Sequence, residues 1–242
     1  MRDIAIEVND LSIHYRGLQS YSIKQHLLRF RPNKTEVFEA VKHISFQVEK
    51  GQIVGLVGKN GSGKSTLLNA IAGIFAPDTG SIDLRGNTVS LLSIGVGFQR
   101  ELSGRENIRL SGMLLGFSEE EIKAKTPEII EFAGLGQFID MPVRTYSSGM
   151  HSKLAFSITA ILETDIILVD EVLSVGDVKF KKKSYQKMKE LISDDERTVV
   201  IVSHTPSTLL ELCDRIIWLH DGEIKMEGPA EEVMDAYLEY ME

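Results

Sequence analysis

The sequence predicts an α/β fold, with a parallel-sheet core flanked by helices and interrupted by a helical insertion. Three observations predict it. The glycine-rich stretch Gly58-Lys59-Asn60-Gly61-Ser62-Gly63-Lys64-Ser65 lies between a continuous apolar run, 53–57, and a helical pattern. Three further apolar runs, 165–170 (DIILVD), 198–203 (TVVIVS) and 215–220 (RIIWLH), have the length of strands buried on both faces. Between the first two runs, residues 97–162 read as mostly helical and break the strand–helix alternation.

The elements follow in order. Residues 4–15 (IAIEVNDLSIHY) alternate like a half-buried strand, and Asn9-Asp10 is expected to break it as a turn. Residues 16–36 form a polar, basic insert with Lys24, His26, Arg29, Arg31 and Lys34 around Leu27-Leu28. Alternation resumes at 44–50 (ISFQVEK), and Gly51 turns the chain into the run 53–57. After Gly63, the residues Leu67, Leu68, Ile71, Ala72 and Phe75 recur at helical spacing until Pro77 and Gly80. Strand-like pieces occupy 81–93, and Pro127 and Pro142 are expected to punctuate the helical stretch. The lysine run 181–183 reads as a solvated helix face. Asp221-Gly222 marks a hairpin between 215–220 and 223–227. Pro229 stands at the expected first position of a last helix, 229–241.

Composition excludes some functions. At 43% hydrophobic and 26% charged, the 242 residues are those of an ordinary globular chain. A net charge of −8 argues against broad nucleic-acid binding, so no nucleic-acid partner is expected. The single cysteine, Cys213, allows no internal disulfide and reads as a packing residue in a reducing compartment. The N-terminus lacks signal-peptide character, and no apolar run approaches the roughly 20 residues that span a bilayer. Any membrane role is therefore expected to come through a partner.

The chemistry concentrates at two places. Residues 58–65 fit the pattern GxxxxGK[ST], in which glycines let the backbone curl its N–H groups toward phosphate oxygens. Gly58, Asn60, Gly61, Ser62, Gly63, Lys64, Ser65 and Thr66 make the expected cradle. Lys64 reaches the β- and γ-phosphates and Ser65 ligates Mg²⁺. The following helix adds its positive end. The run 166–170 ends in the carboxylates Asp170 and Glu171, at the sheet edge where open α/β folds place ligands. Asp170 would then hold Mg²⁺ through its water shell, and Glu171 would activate the water that attacks the γ-phosphate. An exposed acidic turn is the plain alternative.

A third stretch carries a family resemblance. Tyr146-Ser147-Ser148-Gly149-Met150 resembles the LSGGQ signature of ABC ATPases, with Tyr for Leu, Ser for the first Gly and Met for Gln. Ser174-Val175-Gly176-Asp177 is similar to the D-loop, and His204 after the 198–203 strand to the switch histidine. Tyr15 matches the aromatic residue that the family sets against adenine, although packing on the sheet would also explain it. The resemblance implies an ATPase fold with an antiparallel β subdomain. Residues 1–96 and 163–242 would form the catalytic core of a single domain and 97–162 a helical subdomain. It also implies a head-to-tail homodimer in which each ATP lies between one subunit's phosphate loop and Ser147 and Gly149 of the other. Asp177 would lie near the nucleotide, His204 would bond the γ-phosphate or the water, and Gln99 would reach Mg²⁺ at the junction with the helical subdomain.

Within the family, GFQRELSGRENI (97–108), TYSSGM (145–150), DEVLSVGD (170–177) and the basic insert resemble ATPases of bacterial exporters for lipid-linked polysaccharides. Residues 121–141 are similar to those of teichoic acid exporters, so wall teichoic acid is the expected polymer and O-antigen or capsular glycan its rival. The resemblance places the chain at the cytoplasmic face of the membrane, bound to two copies of a transmembrane channel subunit. Leu110, Met113, Leu114, Leu115 and Phe117 would help form a groove for that subunit or else pack as core. The basic insert would face the anionic membrane or the substrate head, or be a solvated loop. A carbohydrate-binding extension is not expected in this chain. Soluble ABC ATPases of DNA repair or translation are the rival of another class, but the single motif set and the absence of a heptad tract count against them.

Overall fold

The computed structural model describes residues 3–16, 37–92, 97–170, 177–194, 196–203 and 205–241. In chain order these form β1 (Ile4–Arg16), β2 (Val37–Glu49), β3 (Ile53–Val57), α1 (Lys64–Ile71), β4 (Thr79–Asp83) and β5 (Val89–Leu91). The helices α2 (Gly104–Leu114), α3 (Glu119–Ala133) and α4 (Ser148–Leu162) come next, with two short 3₁₀ turns before α4. Then come β6 (Ile166–Asp170), α5 (Val178–Ile192), β7 (Thr198–Val202), α6 (Pro206–Leu212), β8 (Arg215–His220), β9 (Glu223–Pro229) and α7 (Ala230–Met241).

The apolar runs form one sheet in the order β5-β6-β7-β3-β8-β9, parallel except for β9. β3 is central because both its faces are apolar: Val54 and Leu56 are fully buried on one side and Val57 is buried on the other. A second sheet, β2-β1-β4, is antiparallel. Its apolar face, with Ile6, Leu11, Val41 and Ile44, packs with Leu67, Leu68 and Ile71 of α1 against one side of the parallel sheet. Each such buried Leu or Ile stabilises by about 1.5–3 kcal/mol. The opposite side is covered by α5 and α7 through Phe180, Leu191, Val233 and Met234. The helical insertion has its own core of Ile108, Ile122, Ile129, Leu154 and Ile158.

Several expectations change. Asn9-Asp10 does not break the first strand; β1 continues through a bulge, with Asp10 at φ 47 and its N–H donating to Ser45 Oγ at 2.8 Å. β2 begins at Val37, seven residues ahead of the expected alternation, since 37–43 pair with β1. Pro127 lies within α3 instead of ending it. The neighbouring Thr126 hydroxyl bonds the Ile122 carbonyl at 2.7 Å, and capping boxes at Ser103/Glu106 and Ser118/Glu121 fix the starts of α2 and α3. The helix after Gly63 stops at Ile71 and leaves Phe75 outside it. Pro229 is the last residue of β9, so α7 starts one residue later than expected. The Asp221-Gly222 hairpin forms as read, with φ 49 and 87. Cys213 is buried, which pushes its thiol up to about 12. Among the described residues, no helix is long and apolar enough to cross a membrane.

Candidate nucleotide site

β3 delivers the chain to the C-terminal edge of the parallel sheet, where 58–63 curl before α1 begins. The curl requires glycine at two close approaches. A side chain at Gly58 (φ 150) would meet the Leu219 carbonyl oxygen at 2.2 Å, and one at Gly63 (φ 100) the Ala40 carbonyl oxygen at 2.3 Å. Lys64 turns back over the loop, and its Nζ donates to the carbonyls of Gly58 at 2.7 Å and Lys59 at 2.9 Å. Burial lowers the Lys64 pKa, and the charge of Asp170 works against that shift. This ammonium thus shapes the loop and keeps donor capacity beyond two bonds.

The loop opens on a cavity of about 240 Å³ lined by Tyr15, Phe38, Ala40, Asn60, Gly61, Gly63, Lys64, Ser65, Thr66, Asp170 and Val202. The structure therefore brings β1, β2, the loop, α1 and the end of β6 to one point. Gly58 and Ser62 are not among the lining residues; Ser62 Oγ is buried within the loop, near Gly58, without a hydrogen-bond partner. A lysine ammonium and a helix start at the cavity wall suit a polyphosphate. Ser65 and Asp170 supply only oxygen ligands, and among the described residues no cluster of three or more His, Cys, Asp or Glu exists. Such a sparse hard-donor set fits Mg²⁺ carried largely by phosphate and water oxygens.

Tyr15 lines the cavity, but its ring is tied down. Its hydroxyl lies 3.2 Å from Thr66 Oγ1, and its ring makes a T-shaped contact with Phe75, centroids 6.2 Å apart. Ser147, Gly149, Gln99 and Asp177 are not among the lining residues. Ser147 is the N-cap of α4, its Oγ accepting from the Met150 N–H at 3.2 Å. The tyrosine that replaces the signature leucine has a local reason: Tyr146 donates its hydroxyl to the Phe138 carbonyl at 2.7 Å, and Gly104 leaves room for it. Burial raises the Tyr146 pKa. Asp177, expected near the nucleotide, has its carboxylate engaged within its own chain. It caps α5 by accepting from the Phe180 N–H at 2.9 Å and pairs with Lys153 of α4. Those bonds depress its pKa to about 2. The Gln99 side chain is exposed, and its backbone N–H and carbonyl are both held by the buried Asn107. Glu171, His204, Ser174–Gly176 and most of the basic insert lie outside the described residues.

Sequence reasoning missed Phe38 and Asn107. Phe38 stands directly opposite Tyr15 in the β1–β2 register, a signal hidden when the second strand is begun too late. A second cavity, about 480 Å³, lies where the end of α1, β5, α2 and α4 meet, and includes Ile74, Leu91, Phe98, Leu114, Leu115 and Ile158. Of the five side chains expected in a groove, Leu114 and Leu115 line it and Leu110, Met113 and Phe117 do not. Phe117 packs on the core of the insertion.

Comparison with known proteins bears on this geometry. A family model described as ABC transporter matches residues 41–174. The teichoic acids export ATP-binding protein TagH of Lactococcus lactis is 48% identical over 85% of this chain, which spans 44% of that protein. The O-antigen export system ATP-binding protein RfbB of Klebsiella pneumoniae is 42% identical over 88% of this chain, which spans 86% of it. Two further relatives, from Bacillus anthracis and Myxococcus xanthus, are spanned over only 39% and 51% of their length. A solved dimeric ATP-binding cassette bound to ADP and Pi shares the fold, with TM-score 0.70 and 24% identity over 93% of this chain and 98% of that one. The phosphate loop, the serine-capped α4 and the strand ending in Asp170 all lie within the residues this family model matches, and the chain belongs to the ABC transporter family.

Proposed function

We propose that this chain is the ATP-hydrolysing subunit of an exporter for a lipid-linked cell-surface polymer. The observation that carries the ATPase reading is the convergence of Lys64, Ser65 and Asp170 on one cavity at the end of the parallel sheet. ATP would lie with its phosphates in the loop 58–65, drawn by the backbone N–H groups, Lys64 and the start of α1. Ser65 and Asp170 would hold Mg²⁺, which supplies positive charge against the negative charge building between the β- and γ-phosphates. Glu171 takes the role of base toward the attacking water, and His204 that of its hydrogen-bonding partner. The catalytic core is 1–96 with 163–242, and 97–162 is the helical subdomain. Two such chains form a homodimer on two copies of a transmembrane channel subunit at the cytoplasmic face of the membrane, and the 480 Å³ groove receives a helix of that subunit.

For the polymer we propose wall teichoic acid, supported by the 48% identity to the Lactococcus exporter protein. O-antigen-type glycan is the second reading, supported by the 42% identity to the Klebsiella export protein. The ATPase reading is tested with Glu171→Gln, which is expected to bind ATP normally and to lose turnover by about a thousandfold. Near-normal turnover would remove Glu171 as base. The polymer is tested by depleting the protein in its source cell and measuring surface polymer and lipid-linked precursor together. Loss of wall polyol phosphate with precursor accumulating supports teichoic acid, whereas loss of another glycan replaces the substrate.

A further inference from the structure

The phosphate loop has an outer side as well as the side that faces the cavity. Asn60, Gly61, Gly63, Lys64 and Ser65 line the cavity, and Lys59 does not. The Lys59 ammonium instead lies over the ring of Tyr240, 4.8 Å from its centroid. Tyr240 stands in the last turn of α7, a helix that buries Ala230, Val233 and Met234 near its start. Polar and aromatic contacts hold the far end. The Tyr240 ring packs on Trp218 of β8 with centroids 5.2 Å apart, and its hydroxyl lies 3.4 Å from His220 Nε2. Lys225 of β9 sits 3.5 Å from the centre of the same ring. Trp218 is buried and pairs directly with Val57, the residue before the loop. The ring is therefore fixed to the strand beside the one that delivers the loop.

The backbone of Lys59 helps to shape the loop. Its carbonyl accepts from Lys64 Nζ at 2.9 Å and from the Ser62 N–H at 3.1 Å. We propose that Tyr240 is a positioning residue for the phosphate loop. By seating the Lys59 side chain outside the cavity, it keeps that carbonyl where both bonds form, and so keeps Lys64 in place. This rests on the reading of the loop as a nucleoside triphosphate site. An aromatic ring suits the task better than a carboxylate would. It attracts an ammonium through the negative face of its π system and brings no net negative charge of its own. An aspartate or glutamate at the same place would also hold Lys59, but its charge would oppose an incoming polyphosphate.

A double-variant cycle tests this. ATP binding with Mg²⁺ is measured by calorimetry on the whole chain, together with the melting temperature of each variant. Tyr240→Leu keeps apolar bulk but removes the ring face, and Lys59→Met keeps the stem but removes the charge. Each is expected to weaken ATP binding about two- to fivefold, the worth of a partly exposed cation–π contact. The double variant should lose no more than either single one, because both changes remove the same contact. Tyr240→Phe restores wild-type affinity, since it keeps the ring and gives up only the bond to His220. Tyr240 is 41% exposed, so its replacement leaves the core intact. Should Tyr240→Leu fail to fold, Lys59→Met against Tyr240→Phe reads the contact from the loop side. Losses that add in the double variant overturn the proposal. So does a lower melting temperature with ATP affinity intact in Tyr240→Leu, which would make Tyr240 a support of α7 alone. A loss confined to Lys59→Met also overturns it, by making Lys59 a direct phosphate ligand. If the wild-type chain does not bind ATP, the nucleotide reading of the loop fails and this inference falls with it. Wild-type binding that neither single variant changes removes only the role of Tyr240, and the loop reading survives.

Discussion

Asp177 shows how one carboxylate can join two helices. It caps α5 and pairs with Lys153, one and a half turns into the helix that Ser147 starts, so it ties α4 to the start of α5. Its folded pKa, about 2, lies below the ordinary aspartate value near 4. The sign follows from linkage: the stabilisation is present above the unfolded pKa and disappears as pH falls from about 4 through about 2. Asp177→Asn keeps an oxygen for the Phe180 N–H but removes the charge. Its melting temperature is expected below that of wild type near neutral pH, with the gap closing as pH approaches about 2. A constant gap down to that pH would show that the ion pair contributes nothing. At this scale the sequence was legible where one loop or one strand end holds the chemistry, as for Lys64, Ser65 and Asp170, which do converge. It was not legible for Phe38, whose neighbour Tyr15 lies across the basic insert. Nor did it show that Asp177 caps a helix, which depends on where that helix begins.

Among the elements, the junction before α2 depends on a single buried amide. Asn107 accepts from the Gln99 N–H at 2.8 Å and donates to the carbonyls of Gln99, Leu102 and Ser103 at 3.1, 3.2 and 2.9 Å. The Gln99, Leu102 and Ser103 carbonyls also accept backbone N–H groups from Leu102, Val143 and Asn107, so the unmatched loss falls on the Gln99 N–H. Asn107→Ala is expected to lower unfolding free energy by about 1–3 kcal/mol, the cost of stranding a buried polar group. A urea midpoint that falls at unchanged slope would report this, and an unchanged midpoint would refute it. The elements themselves were readable where hydrophobic period, length and punctuation agreed, as for β3, β6, β7, β8 and the Asp221-Gly222 hairpin. They were misread where tertiary context overrode a local signal. Asn9-Asp10 has the residues of a turn, yet ladder bonds on both sides of β1 make a bulge cheaper than an end. Pro127 has the residue of a break, yet Ile122, Ile129 and Ala133 bury one face of α3 on both sides of it.

For the whole molecule, the proposed second copy follows from where the signature residues sit. The cavity is lined from β1, β2, the phosphate loop, α1, β6 and β7, and no residue of 97–162 reaches it. Meanwhile α4 starts with Ser147 as cap and Gly149 in its first turn, where a side chain would meet nothing nearer than Ser147 Oγ at 3.9 Å. That helix start offers N–H donors and positive potential to an anion that its own chain does not supply at the cavity. A two-fold related copy that brings its phosphate loop there satisfies both halves at once. The separation makes a clean variant available. Gly149→Asp has room in the isolated chain, and an acidic group in a helix's first turn is favourable by about 0.3–1 kcal/mol, so the fold should be unharmed. Across an interface the same carboxylate would face a γ-phosphate and repel it. Sedimentation of Glu171→Gln with ATP and Mg²⁺ is expected to give a species of twice the chain mass. Adding Gly149→Asp should return it to monomer, with ATP affinity and melting temperature close to those of the single variant. A dimer that persists with aspartate at 149, or one that forms equally without nucleotide, would place the two-fold contact elsewhere and leave the phosphate loop to act without α4.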